Sequence, residues 1–158
     1  MPPESIAVVV YDGFDELDAV GPFEVFGNLD RADVRVRIAS PTPTAAVTGA
    51  HGLSLVPDGT LTAAAPDLLV VPGGGWTDGS DTGARAEAEA GDLPEAMATA
   101  AEAGAIVATV CTGGMLAAEA GLTDGRPATT HHEATDDLRE TGAEVVDARV
   151  VDDGDLVT

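Results

Sequence analysis

The single cysteine, Cys111, stands between an apolar run and a pair of glycines, in Ala105-Ile106-Val107-Ala108-Thr109-Val110-Cys111-Thr112-Gly113-Gly114. A buried strand that turns abruptly into a helix exposes one side chain above the sheet edge, and small residues after it allow the turn. The helix N-terminus would set N–H groups and a positive dipole beside the sulfur, favouring thiolate. A thiolate so placed is a nucleophile for electrophilic carbon. A lone cysteine is equally a small buried hydrophobe, and spacing alone leaves the two readings even.

Three other segments carry groups that can serve such a nucleophile. Pro72-Gly73-Gly74-Gly75 follows an apolar run, and glycine N–H groups there can approach a substrate and stabilise developing negative charge, or simply make a turn. It matches neither a dinucleotide nor a P-loop fingerprint. Asp15-Glu16-Leu17-Asp18-Ala19-Val20 puts three acids at a helix entrance. Capping and dipole compensation account for Asp15 and Glu16. Asp18, lying between Leu17 and Ala19-Val20, is expected to be partly buried, with a raised pKa suited to moving protons. His131 is expected to face a pocket, His132 the surface, and His51 to be structural or exposed. Trp76 reads equally as a pocket wall or a cover for the core edge. No third ligand accompanies the histidine pair, so neither a metal nor another cofactor is expected.

Positioning these groups requires strands alternating with helices. Residues 6–11, 34–38, 68–71, 105–110 and 144–151 read as strands, and 46–56 as a hairpin around Gly49-Ala50-His51-Gly52. A helix is expected through Val20, Phe23, Phe26 and Leu29, with Pro22 in its first turn. Others are expected over 93–103 with Gly104 beyond its C-terminus, over 112–120 ended by Gly121, and over 133–141 ended by Gly142, while 84–92 reads as a loose stretch. Asp153-Gly154 reads as a turn, leading into a further strand at Leu156-Val157-Thr158. Mostly apolar strands between helices imply a parallel sheet covered on both faces.

The totals narrow the function classes. At 158 residues the chain is one domain. It carries 28 acidic residues against seven basic ones, all Arg, for a net charge of −21. With 44% hydrophobic content this is a folded acidic domain, not a disordered one. It is expected to be salt-adapted, in the halophilic manner: its melting temperature should rise from low to molar KCl as self-repulsion is screened, and a fall would contradict this. No basic patch invites nucleic acid or an anionic membrane. A lone cysteine allows no internal disulfide, and with no leader-like N-terminus and no apolar run near membrane length, a cytoplasmic location is expected.

Taken together, Val8 to Asp12, Leu17-Asp18-Ala19-Val20-Gly21-Pro22 with Glu24-Val25-Phe26, Pro72-Gly73-Gly74, Val110-Cys111-Thr112-Gly113, Ala120-Gly121-Leu122 with Asp124-Gly125-Arg126, and Ala128-Thr129-Thr130-His131 resemble the DJ-1/PfpI superfamily over nearly the whole chain. The elements at Asp18, Cys111 and His131 look most like isocyanide hydratases, and also resemble the ligand-binding domains of AraC-type regulators. The resemblance implies one domain over 1–158, a flavodoxin-like three-layer α/β/α sandwich with a mostly parallel sheet, of the class I glutamine amidotransferase-like type. Against the family pattern, this domain is expected to lack the usual last strand end and helix after Thr158. It implies Cys111 as nucleophile, Asp18 as the acid facing its sulfur, and Thr112 setting the site. Gly73, Gly74, Gly75, Gly113 and His131 would contact substrate, with the Gly74 and Thr112 N–H groups forming an anion pocket. Homodimers acting on small molecules are expected.

Isocyanide hydration to an N-formamide is the leading expectation. Glyoxalase or deglycase chemistry, and a non-catalytic redox or metabolite sensor, are the alternatives. Peptidase-like members place His after the nucleophile; here Thr112 stands there, so a protease dyad is not expected. Where hydratase-like members carry Trp after the histidine, this chain carries His132. The regulators' helix-turn-helix domain is not in this sequence, so no DNA partner is expected.

Overall fold

The structure, a computed structural model, describes residues 2–29 and 33–158. The chain runs β1 (Ser5–Val9), α1 (Glu16–Gly27), β2 (Arg35–Ser40), β3 (Val47–Thr48), β4 (Ser54–Leu55), β5 (Gly59–Thr60) and β6 (Leu68–Val71). It continues through α2 (Ala84–Ala90), α3 (Asp92–Glu102), β7 (Ile106–Thr109), α4 (Gly113–Glu119), β8 (Pro127–Ala128), α5 (Thr135–Arg139), β9 (Glu144–Val145) and β10 (Leu156–Val157). The central sheet has six strands in the order β10-β7-β6-β1-β2-β5. Every neighbouring pair in it is parallel.

The β-branched and aliphatic runs explain the centre of this sheet. Ile6 through Val10 are each at most 1% exposed, so successive side chains on both faces are covered. Helix α1 packs on β1, β2 and β6, whereas α3 and α4 lie on β7 and α2 packs against α3 and α4. This is a flavodoxin-like α/β fold. The chain lays β2 and β5 to one side of β1, then crosses to lay β6, β7 and β10 on the other. Strand order therefore reverses between β1 and β6, and ligand crevices in open parallel sheets form beyond the strand ends at that point.

Several elements depart from the sequence-based expectation. Helix α1 begins at Glu16, so Pro22 lies in its interior instead of its first turn. The helix starts early because the Asp15 N–H is anchored on Gly73 O at 2.8 Å, beyond the neighbouring strand. The stretch expected to be loose at 84–92 contains α2, closed by Gly91 at φ +87°. After a 3-10 turn (His132–Ala134), α5 ends at Arg139, short of Gly142. The strand expected over 144–151 is limited to β9, which pairs with β8 in a separate ribbon. Residues 146–150 are exposed, and β10 takes the edge beside β7. The hairpin around Gly49-Ala50-His51-Gly52 forms as β3 and β4. The Asp153-Gly154 turn also forms, with Gly154 at φ +85°.

Candidate active site

Cys111 is the non-glycine residue with positive φ, +56°, among the described residues. An L-residue held there costs roughly 1–3 kcal/mol, so its surroundings must impose it. Val110 N–H is still in the sheet, on Val71 O at 2.9 Å, while the Gly113 N–H already bonds back to Val110 O at 2.9 Å. The intervening carbonyl of Cys111 is gripped from a third segment, by the His131 N–H at 3.2 Å and the Thr130 hydroxyl at 3.1 Å. A Cβ at position 113 would sit 2.4 Å from Val71 O, so only glycine lets α4 start this close to the sheet. Gly113 is buried in that contact.

Asp18, on the first turn of α1, is half-buried and accepts the Gly73 N–H at 3.2 Å. Burial raises its pKa and the charge of Asp15 adds to this; the Gly73 N–H, the Cys111 thiol and His131 act the other way. Burial also raises the Cys111 thiol, and the charges of Asp18 and Asp15 reinforce the effect, against the N–H and hydroxyl of Thr112. The expectation that a helix N-terminus would favour thiolate is therefore not met: α4 has seven residues, and desolvation beside a carboxylate dominates. The charge of Asp18 thus resists ionisation of Cys111, whereas the Cys111 thiol favours the Asp18 carboxylate, so the pair leans toward thiol and carboxylate.

The glycine loop holds both partners. The Gly73 N–H is given to Asp18, and the Gly74 N–H to the Thr112 hydroxyl at 3.0 Å. Of the two N–H groups expected to form an anion pocket, that of Gly74 is thus engaged within the scaffold, as is its neighbour at Gly73, while that of Thr112 acts on the Cys111 sulfur. A Cβ on Gly73 would lie 2.5 Å from Thr112 N and 3.0 Å from Cys111 Cβ, a close approach that only glycine permits. Gly75 lines a different cavity, of about 350 Å³, with Asp12, Asp78 and Thr82. Tyr11, which sequence reasoning passed over, is buried and donates its hydroxyl to Pro72 O at 2.7 Å, bracing this loop from just beyond β1.

On its other side Cys111 opens on a groove of about 670 Å³ that includes Thr130, His131, His132, Arg139 and Arg149. His131 Nδ1 accepts the Glu133 N–H at 3.4 Å, and its ring lies 4.3 Å from that of the exposed His132. Trp76 does not line this groove; it packs on the edge of the core and is fixed to α5: its indole N–H meets Asp137 Oδ2 at 2.7 Å, and the Arg85 guanidinium lies 4.6 Å above its ring. Asp15, Glu16 and His51 bring three possible ligand atoms within 4.8 Å of one another. Glu16 is already committed there, to the His51 ring at 2.6 Å and to the His51 and Leu53 N–H groups. Burial pushes the Glu16 pKa up, but these hydrogen bonds outweigh it and hold it at about 2. His51, expected to be structural or exposed, is both: it latches the hairpin to α1 while its side chain stays 77% exposed. No helix among the described residues is long and apolar enough to cross a membrane.

Similarity to known proteins agrees with this architecture. The chain is 42% identical over 137 residues to an uncharacterized protein in the cpoL 5' region of Streptomyces lividans, covering 84% of this chain and 91% of that one. It is 34% identical to the isonitrile hydratase of Pseudomonas putida, covering 97% of this chain and 63% of the hydratase. Identity to the deglycase TK1284 of Thermococcus kodakarensis is 30%, covering 97% and 87%. Among solved structures, a ThiJ/PfpI family protein from Pseudomonas syringae superposes with a TM-score of 0.85 at 33% identity, covering all of this chain and 62% of that one. The chain thus spans less than two thirds of the hydratase and of this structure. The DJ-1/PfpI family model matches residues 4–158, and the chain belongs to the DJ-1/PfpI family.

Proposed function

We propose that the protein is a cysteine-dependent hydratase of a small electrophilic carbon, with isocyanides as substrate and N-formamides as product. The observation that carries this is the placement of Cys111, on its positive-φ turn, in hydrogen-bond contact with Asp18, which the Gly73 N–H holds in position. An isocyanide carbon needs a nucleophile and a proton at the same atom. The Cys111 sulfur bonds to that carbon as the pair's proton is delivered to it by Asp18, giving an S-linked thioimidate. Asp18 is then carboxylate and takes a proton from water, whose oxygen adds to the same carbon. Asp18 returns that proton to the nitrogen; the carbon–sulfur bond then breaks as the carbonyl forms, the hydroxyl proton passes back to the Cys111–Asp18 pair, and the formamide leaves. The balance is isocyanide plus water to formamide, with Cys111 regenerated.

Identity to an isonitrile hydratase over 97% of the chain supports this substrate. Thr112 in place of a histidine supports a proton path through Asp18 rather than a Cys-His dyad. The deglycase relative supports a second reading, glyoxalase or deglycase chemistry on 2-oxoaldehydes. Assay with an aryl isocyanide is expected to yield the N-formamide catalytically, with no lactate from methylglyoxal. Lactate formation without formamide would transfer the proposal to the second reading. Failure of both, with peroxide converting Cys111 to the sulfinate, would make the protein a sensor.

A homodimer completes the proposal. The outward side of α1 exposes Leu17 (76%), Val25 (65%), Phe23 (39%) and Val20 (38%), apolar surface that a second copy would cover. Light scattering in molar KCl is expected to give twice the monomer mass. A monomer under those conditions would contradict it.

A further inference from the structure

We propose that the Cys111 groove selects anionic substrates, with Arg149 binding a carboxylate on the molecule whose electrophilic carbon meets the sulfur. The inference rests on Cys111 being the nucleophile of the proposed reaction and adds the substrate's charge class to it.

The lining of the groove runs against the composition of the chain. Acidic residues outnumber basic ones by 28 to seven overall. The groove nevertheless holds two guanidinium groups, Arg139 and Arg149, against one side-chain carboxylate, Asp147. Arg139 is paired with Asp136, outside that lining. Arg149 makes no hydrogen bond or ion pair among the described residues, although acids surround it in sequence, at Asp147, Asp152 and Asp153. By contrast, Arg37, Arg85 and Arg126 are each held by oxygen partners. Arg35 and Arg149 are both exposed and open among the described residues, and of the two only Arg149 lines the groove. A guanidinium left open in the groove that Cys111 also lines presents paired donors that match a carboxylate.

The His131 ring adds a donor. Because its Nδ1 accepts the Glu133 N–H, its own proton is assigned to Nε2. At about 670 Å³ the groove exceeds the needs of a single reacting carbon, leaving space for an acid-bearing body along Val146 and Val150. Elsewhere the field of the protein opposes an anion: Asp15 and Asp18 lie on the other side of the sulfur. Preference for an anion would therefore report these groove cations, since the net charge acts in the opposite direction.

Because Cys111 is the only cysteine, its alkylation is read directly from the intact mass. Iodoacetate and iodoacetamide differ in charge, and each forms a thioether at the sulfur with loss of iodide. Iodoacetate is expected to alkylate Cys111 with a rate that saturates in its concentration. Arg149→Gln should remove the saturation and slow iodoacetate about fivefold or more, with iodoacetamide unaffected and Arg149→Lys retaining part of the effect. Iodoacetate slower than iodoacetamide, linear in concentration and equal in wild type and Arg149→Gln, would overturn the inference. These rates do not depend on isocyanide turnover, so failure of the hydratase assay leaves this test intact. Failure of both reagents to alkylate would remove the nucleophile and this inference with it.

Discussion

Replacing Cys111 by serine, alanine or glycine is expected to reduce isocyanide hydration by roughly four orders of magnitude or more, because no other group in the groove is a comparable nucleophile. The three variants should separate in stability. At φ +56° a side chain is strained, and alanine keeps that strain while glycine releases it. Release of about 1–2 kcal/mol is partly offset by the larger entropy of an unfolded glycine, so Cys111→Gly should exceed Cys111→Ala by roughly 0.5–1 kcal/mol in urea unfolding. An inactive protein more stable than its alanine counterpart would show that the turn is held against its own preference, by the grip of Thr130 and His131 on the Cys111 carbonyl. Equal stabilities would mean the strain is absent.

Asp18→Asn should lower turnover by roughly 10²- to 10⁴-fold, the scale of general acid–base catalysis, with little loss of stability. The amide oxygen can still accept the Gly73 N–H, and it carries no charge into a half-buried place. The pH dependence follows from the raised pKa. The folded state binds the Asp18 proton more tightly than the unfolded state. Its contribution to stability is complete below the ordinary aspartate range and is lost as pH rises through the folded value. Above its folded value the wild type has lost this contribution, so Asp18→Asn should match or exceed it in thermal melts there, and fall behind only in acid. Parallel losses of turnover and stability at neutral pH would return Asp18 to a structural role.

Much of the site was legible because its residues sit beside strand ends that the sequence marks. Cys111 is flanked by an apolar run and glycines, and Asp18 lies between apolar neighbours, which correctly placed it half-buried. The direction of the thiol's pKa was not legible. It depends on how deeply the sulfur is desolvated and on a carboxylate 93 positions away in the chain, neither of which helix-terminus reasoning contains. The commitment of the Gly73 and Gly74 N–H groups to Asp18 and Thr112 was hidden for the same reason. Trp76 could be placed only once Asp137, 61 residues on, was seen to hold its indole. The groove cations were invisible because Arg149 lies in a segment that β-branched residues made look like strand, yet it leaves the sheet after β9.

The most direct test of the account is the intact mass of the protein during turnover of an aryl isocyanide, with Asp18→Asn used to slow release. The account predicts a transient species heavier by one isocyanide, located at Cys111 by fragmentation, that decays as formamide appears and is missing in Cys111→Ser. Formamide produced at an undiminished rate by Cys111→Ser, with no adduct in any variant, would contradict it.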